Sequence, residues 1–315
     1  MIGFEFPEIS PIFFSIGGFA VRWYSMAYLC GIVAAWFLIS KMAAKYDLNL
    51  KKQQIEDAVF FTTIGIIVGG RLGYVLFYGR DFFWEHPWQI FALWHGGMSF
   101  HGGALGAVLG LLYMSYSRKV SFWLLTDLAA LFAPIGIFLG RLANFVNDEL
   151  WGRVTDVPWA VRFPSGGYLP RHPSQLYEAF AEGIVIFIVL NLLWRYPAVR
   201  RRQGVVSSLF VILYGFFFSL GNSADGGFWQ SANFFAVLIG IMFNYIGPIS
   251  YGGAYIPMVL SFGSGRKEAA WGAQLLYAGY AVTAYLFILF TGYMSAGRMD
   301  GFKNILIAEA FVLCI

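Results

Sequence analysis

The sequence predicts an all-α, polytopic helical membrane protein with its N-terminus outside. Three observations predict this class. Of the 315 residues, 59% are hydrophobic, 20% aromatic and only 12% charged, whereas ordinary soluble domains carry about 25% charged residues. The apolar residues fall into runs near the roughly 20 residues that a spanning helix needs. Lys and Arg alternate between rich and poor from loop to loop, the pattern of a positive-inside topology.

The candidate spans lie near 12–40 (with an interfacial start), 56–78, 89–116, 122–146, 175–194, 204–221, 232–248 and 273–294. Basic residues follow the first, third, fifth and seventh of these: Lys41, Lys45, Lys51 and Lys52, then Arg118 and Lys119, then Arg195 and Arg200 to Arg202, then Arg266 and Lys267. The loops between are poorer or carry offsetting acids, so the first group is read as cytoplasmic. Arg298 and Lys303, past the eighth candidate, fit this scheme poorly. The longest link of the first two-thirds, 147–174, holds Pro158, Pro164, Gly166, Gly167, Pro170 and Pro173, which reads as a structured turn region on the outer face. Two segments follow: a membrane core over 1–221 with six spans, and a C-terminal membrane segment over 222–315.

Composition also excludes some functions. A net charge of +4 gives no hint of nucleic-acid binding. Cys30 and Cys314 form neither a metal pattern nor a disulfide framework. The N-terminus is acidic, with Glu5 and Glu8, where a secretory signal needs basic residues. No phosphate loop, dinucleotide fingerprint or nucleophile elbow is present, and no metal or cofactor is expected.

The sharpest signal is ionisable residues inside the apolar runs, because intramembrane charge is a functional-site hypothesis by default. Arg141, Asn144 and Asp148 share one helix face if that helix continues so far, with Glu149 next to Asp148. Two readings of Arg141 are open: a guanidinium fork for a phosphate or carboxylate, or a pair with Asp148 or Glu149. His101 sits between glycine pairs in Gly96-Gly97-Met98-Ser99-Phe100-His101-Gly102-Gly103. It reads either as a general base near a dielectric boundary or as a histidine bonded to a backbone carbonyl. Arg71, in Gly69-Gly70-Arg71-Leu72-Gly73-Tyr74, reads as a site cation or as a side chain snorkelling to the interface. Arg22-Trp23-Tyr24 reads as an interfacial anchor, with Tyr24 also able to donate into a polar chamber. Arg171-His172-Pro173-Ser174-Gln175-Leu176-Tyr177-Glu178 suits a helix start.

Four of the motifs in chain order, Gly69 to Tyr74, His95 to Gly103, Gly140-Arg141-Leu142-Ala143-Asn144-Phe145-Val146-Asn147-Asp148-Glu149-Leu150-Trp151-Gly152-Arg153, and Arg171 to Glu178, resemble the prolipoprotein diacylglyceryl transferase family in order and spacing. The likeness runs to about Tyr214-Gly215. The resemblance implies a bacterial inner-membrane enzyme of about seven transmembrane helices, the principal fold expectation here, with an eighth if the tail also spans. It implies transfer of the diacylglyceryl group of phosphatidylglycerol to the lipobox cysteine thiol of prolipoproteins, the first step of lipoprotein maturation. On the matching positions, His101, Arg141, Tyr24 and Glu149 are the catalytic candidates. Arg141, Asn144, Gly152 and Arg71 are the lipid-binding candidates.

The chain departs from the family pattern at three places. Asp148 stands where the family has a small residue. Phe218 stands where it has a second arginine, and Asn222 about where it has a glutamate. The tail after Ser261 looks foreign. The alternative reading is therefore a weakened or inactive paralogue that binds anionic lipid or lipobox peptide. A small-solute transporter is a third class, but the paired repeats common in such folds are not found.

Overall fold

The structure is a computed structural model that describes residues 3–7, 9–16, 19–93 and 96–221. The candidate spans near 232–248 and 273–294, and Asn222, lie outside the described residues. Strands β1 (Phe4–Glu5), β2 (Ile12–Ile16) and β3 (Phe19–Arg22) come first, and helix α1 (Trp23–Lys45) follows. Helices α2 (Lys52–Phe77), the short α3 (Arg80–Glu85), a 3-10 turn (Pro87–Phe91), α4 (Phe100–Arg118) and α5 (Phe122–Val146) come next. Strands β4 (Val161–Arg162) and β5 (Pro170–Arg171) lead into α6 (Ser174–Glu178), a π-helical stretch (Ala179–Val185) and α7 (Ile186–Trp194). The short α8 (Pro197–Arg200) and α9 (Val205–Gly221) complete the described chain.

Four helical stretches among the described residues are long and apolar enough to cross a membrane: Trp23–Lys45, Lys52–Phe77, Phe122–Val146 and Ser174–Trp194. Two expected boundaries are corrected. The apolar run from residue 12 opens as the antiparallel β2–β3 hairpin, and the helix starts only at Trp23. The run from residue 89 is a 3-10 turn and a glycine bend, and α4 begins at Phe100. The cause is local in both cases, namely β-prone Ile, Phe and Val residues in the first and Pro87 with Gly96 and Gly97 in the second.

The chain forms two compact units. The larger helical unit is Ile9–Asn147 with Phe187–Ser207. Its tightest pair is α2 against α4, and small residues explain why. Gly65, Gly69 and Gly73 recur every fourth residue on α2, and Gly102, Gly106 and Gly110 do so on α4. A Cβ added at Gly106 would run into the Gly65 carbonyl, and one added at Gly69 into the Gly102 carbonyl. These are backbone-to-backbone contacts of the small-xxx-small kind, which let dispersion hold helices together where lipid removes the hydrophobic drive. Helix α1 packs on α5 by the same device, with Gly31 against Gly136. Gln54 ties two helix ends together: its Oε1 accepts from the Lys51 amide at the start of α2, and its Nε2 donates to the Arg118 carbonyl at the end of α4.

Helix α5 is the most enclosed, with Leu124, Leu125, Leu128, Leu131 and Phe132 buried. Asp127 on α5 is fully buried, and its carboxylate accepts from the amides of Gly204 at 2.7 Å and Ser207 at 2.8 Å. It thereby satisfies orphan donors at the start of α9.

In the second unit, β1, β4 and β5 form a small sheet in the order β1-β4-β5. Strand β1 pairs parallel to β4, with Phe4 opposite Val161. Strand β5 pairs antiparallel to β4, with Arg171 opposite Val161. The Phe6 and Phe163 rings pack 5.5 Å apart, and Arg162 pairs with Glu5 at 2.8 Å.

Candidate functional site

The approach to α4 is built by α2. Ser99 caps α4: its Oγ accepts from the Gly102 amide at 3.3 Å, and its own amide donates to the Gly70 carbonyl at 2.8 Å. His101 is therefore the second residue of the helix, in its first turn and exposed. The turn before it needs glycine. Gly97 has φ +80, and a Cβ there would come within 2.5 Å of the Tyr74 ring.

Arg71 lies beneath this turn and is 5% exposed. Its guanidinium donates to five main-chain carbonyls, those of Gln89, Ile90, Ala92, Gly96 and Gly97. The Phe83 ring lies 5.0 Å from its centre. Burial corrects the snorkelling reading of Arg71, and all five donors of a guanidinium go to main-chain carbonyls of the protein.

Arg141 and Asn144 stand one turn apart in the last two turns of α5, half-buried and buried respectively. The expected shared face with Asp148 does not form. Asn147 ends the helix, and Asp148 takes φ +55, a left-handed conformation that stops α-helix. Instead, the Asp148 carboxylate accepts from the Ser165 amide at 2.7 Å, and the Ser165 hydroxyl donates to the Asp148 carbonyl at 2.5 Å. Tyr24 is the second residue of α1, and the Tyr28 hydroxyl donates to its hydroxyl at 3.3 Å.

In the second unit the 147–174 loop is tied to itself. Glu149 is exposed, and its carbonyl accepts from Gln175 Nε2 at 2.6 Å. The Gly152 amide donates to the His172 carbonyl at 2.9 Å, and a Cβ at Gly152 would press on that same carbonyl. Arg171 lies 3.9 Å above the Trp151 ring and donates to the carbonyls of Gly166 and Gly152. The motif at 171–178 thus closes the loop as well as starting α6. Sequence reasoning missed Glu182, which is fully buried inside the π-helical stretch. The available signal was an acid in the middle of an apolar span, and π-bulges gather at functional sites. Phe218 packs its ring against Tyr214 at 5.9 Å.

The model of the prolipoprotein diacylglyceryl transferase family matches residues 11–220. The chain belongs to this family. The phosphatidylglycerol–prolipoprotein diacylglyceryl transferase of Geobacter sulfurreducens is 48% identical over 213 residues, 68% of this chain and 81% of the relative. The enzyme of the same name from Mannheimia succiniciproducens is 49% identical over 212 residues, 67% of this chain and 78% of the relative. That of Aliivibrio salmonicida is 50% identical over 213 residues, 68% of this chain and 74% of the relative. Tyr24, Arg71, His101, Arg141, Asn144, Glu149, Gly152 and Phe218 all fall within the family match, whereas Asn222 and the tail fall beyond it.

Proposed function

We propose that this protein transfers the diacylglyceryl group of phosphatidylglycerol to the lipobox cysteine of prolipoproteins, the first step of lipoprotein maturation, in the bacterial inner membrane. The carrying observation is near-half identity, over two-thirds of the chain, to enzymes named for that reaction. The relatives carry the transferase name, so the catalytically silent alternative is not favoured. In the reaction the thiol sulfur attacks the glyceryl carbon, the carbon–oxygen bond to phosphate breaks, and its electron pair leaves on glycerol phosphate. The thiol proton goes to a base, since the thiolate is the nucleophile.

The base is His101. Arg141 and Asn144 hold the phosphate, where a guanidinium fork and a side-chain amide stabilise charge growing on the leaving oxygen. Tyr24 donates a hydrogen bond near the reacting groups, and Glu149 and Gly152 shape the outer loop. Arg71 acts otherwise, as argued below.

The sheet also bears on topology. Strand β1 precedes α1 and pairs with β4, which follows α5. That pairing supports an even number of crossings between them. Helices α1, α2 and α5 are long and apolar enough for three crossings, and in this reading α4 is the fourth. Its 19 residues reach about 28 Å at 1.5 Å per residue, close to the roughly 30 Å hydrocarbon core. Counting Ser174–Trp194 and α9 as well, the reading is six spans by Gly221, and the basic loops after the first, third and fifth spans support an N-terminus outside.

The test is a transfer assay with phosphatidylglycerol vesicles and a lipobox peptide. His101→Gln is expected to slow transfer with lipid binding spared, and Arg141→Ala to weaken lipid binding first. An unmodified protein that binds phosphatidylglycerol without turnover would overturn the proposal. Phe218→Arg with Asn222→Glu then asks whether the missing pair limits the rate.

A further inference from the structure

Arg71 is a buried charge that the transfer chemistry leaves without a task. Its Nε donates to Ile90 at 2.8 Å, one terminal nitrogen to Gly96 at 2.5 Å and Gly97 at 3.0 Å, and the other to Gln89 at 2.6 Å and Ala92 at 3.2 Å. A guanidinium carries five N–H donors in a fixed plane, so this set is saturated. Every acceptor lies on the 89–97 connection that leads into α4, and among the described residues none is a carboxylate.

One rigid fork thus fixes five carbonyls of a single connection. Three further contacts carry that order to the helix start. The Ser99 amide donates to Gly70, the residue before Arg71. Gly97 lies against the Tyr74 ring, one turn along α2 from Arg71. The Ser99 hydroxyl accepts from Gly102. His101 lies between Ser99 and Gly102 and inherits whatever register they hold.

We propose that Arg71 is the positioning residue for His101: its carbonyl clamp fixes the glycine turn and the first turn of α4, and so aims the imidazole at the lipobox thiol without touching either substrate. The proposal rests on the role given to His101 above. Lysine cannot replace arginine here, because a single ammonium has three donors on a flexible stem and cannot bridge five carbonyls in one plane.

The experiment compares Arg71→Lys, His101→Gln and the double variant in the full-length protein, embedded in bilayers containing phosphatidylglycerol. A misplacement near 1 Å costs about 100-fold in rate. Arg71→Lys is therefore expected to lower kcat about 100-fold, with lipid affinity within about twofold of the unmodified protein. The double variant is expected to fall little below the worse single one, because residues acting as a unit are non-additive. Hydrogen exchange supplies a readout independent of turnover: the Ser99 and Gly102 amides are expected to exchange at least about tenfold faster in Arg71→Lys. If Arg71→Lys folds poorly, Gly97→Ala, which leaves Arg71 intact and presses on Tyr74, is expected to give the same non-additivity with His101→Gln.

Weakened lipid binding at unchanged kcat would make Arg71 a headgroup ligand and overturn the proposal. Multiplying effects of the two substitutions would also overturn it, as would unchanged exchange at Ser99. Absence of transfer in the unmodified protein would instead refute the transferase reading, and the exchange experiment would still decide whether the clamp exists.

Discussion

Replacing Asp127 by alanine tests how the start of α9 is held. The carboxylate is fully buried and accepts two short amide bonds, from Gly204 and Ser207. Alanine leaves both amides buried without that acceptor, at about 1–3 kcal/mol each. It also removes a side-chain acceptor from the positive end of a helix, worth about 0.3–1 kcal/mol more. The expected loss for Asp127→Ala is about 4 kcal/mol, within a range of roughly 2–7 kcal/mol from these terms. The isosteric substitution Asp127→Asn keeps one acceptor oxygen but turns an NH2 toward the other amide. Its expected loss is about 2 kcal/mol. The assay is unfolding in detergent followed by helical circular dichroism, where about 4 kcal/mol corresponds to roughly 8–16 °C for a chain of a few hundred residues. An Asp127→Ala protein that unfolds within about 1 kcal/mol of the unmodified one would refute the view that this carboxylate holds α9.

Other substitutions probe the remaining joints. Gly106→Val should destabilise by at least about 1–3 kcal/mol, because the nearest obstacle is the Gly65 carbonyl, which cannot rotate away. Gly136→Ala, where a Cβ meets open space, should instead stabilise by about 0.5–1 kcal/mol in the same thermal scan. Asp148→Ala should cost about 1–2 kcal/mol by losing the Ser165 amide bond in a left-handed residue. Asp148→Gly should be near neutral, since relief of that backbone offsets the lost bond. Equal losses in the two would remove the strain argument. Arg171→Ala should lose the stacking on Trp151 and two carbonyl contacts, at about 1–3 kcal/mol. Limited proteolysis should then cut within 150–171 faster than in the unmodified protein.

The helices were legible because a membrane demands uninterrupted apolar length, and six of the expected runs correspond to helices. The boundaries failed where apolar character and helical conformation part company. Ile12-Phe13-Phe14 satisfies hydropathy as well in a strand as in a helix. Gly17-Gly18, a turn signal between two apolar runs, could have marked the hairpin in the sequence. The face joining Arg141 to Asp148 failed because a helix period says nothing about where the helix stops. Arg71 was recognisable as unusual but not as a clamp, since its partners lie 18–26 positions further on and meet it only through the 3-10 turn at Pro87–Phe91 and the bend at Gly96 and Gly97. Glu182 is visible in the sequence as a charge in an apolar run, but nothing in the pattern around it marks the π-helical turn that buries it.

The parallel pairing of Phe4–Glu5 with Val161–Arg162 imposes an order of events on biosynthesis. The ribosome finishes the first partner long before the second exists, an interval of about 10–30 s at ordinary elongation rates. Through that interval the leading strand has no β4 to pair with while α1, α2, α4 and α5 are made behind it. The sheet is thus a late fastening, closed only once every intervening helix has been made, and its two partners come from the two ends of that long interval.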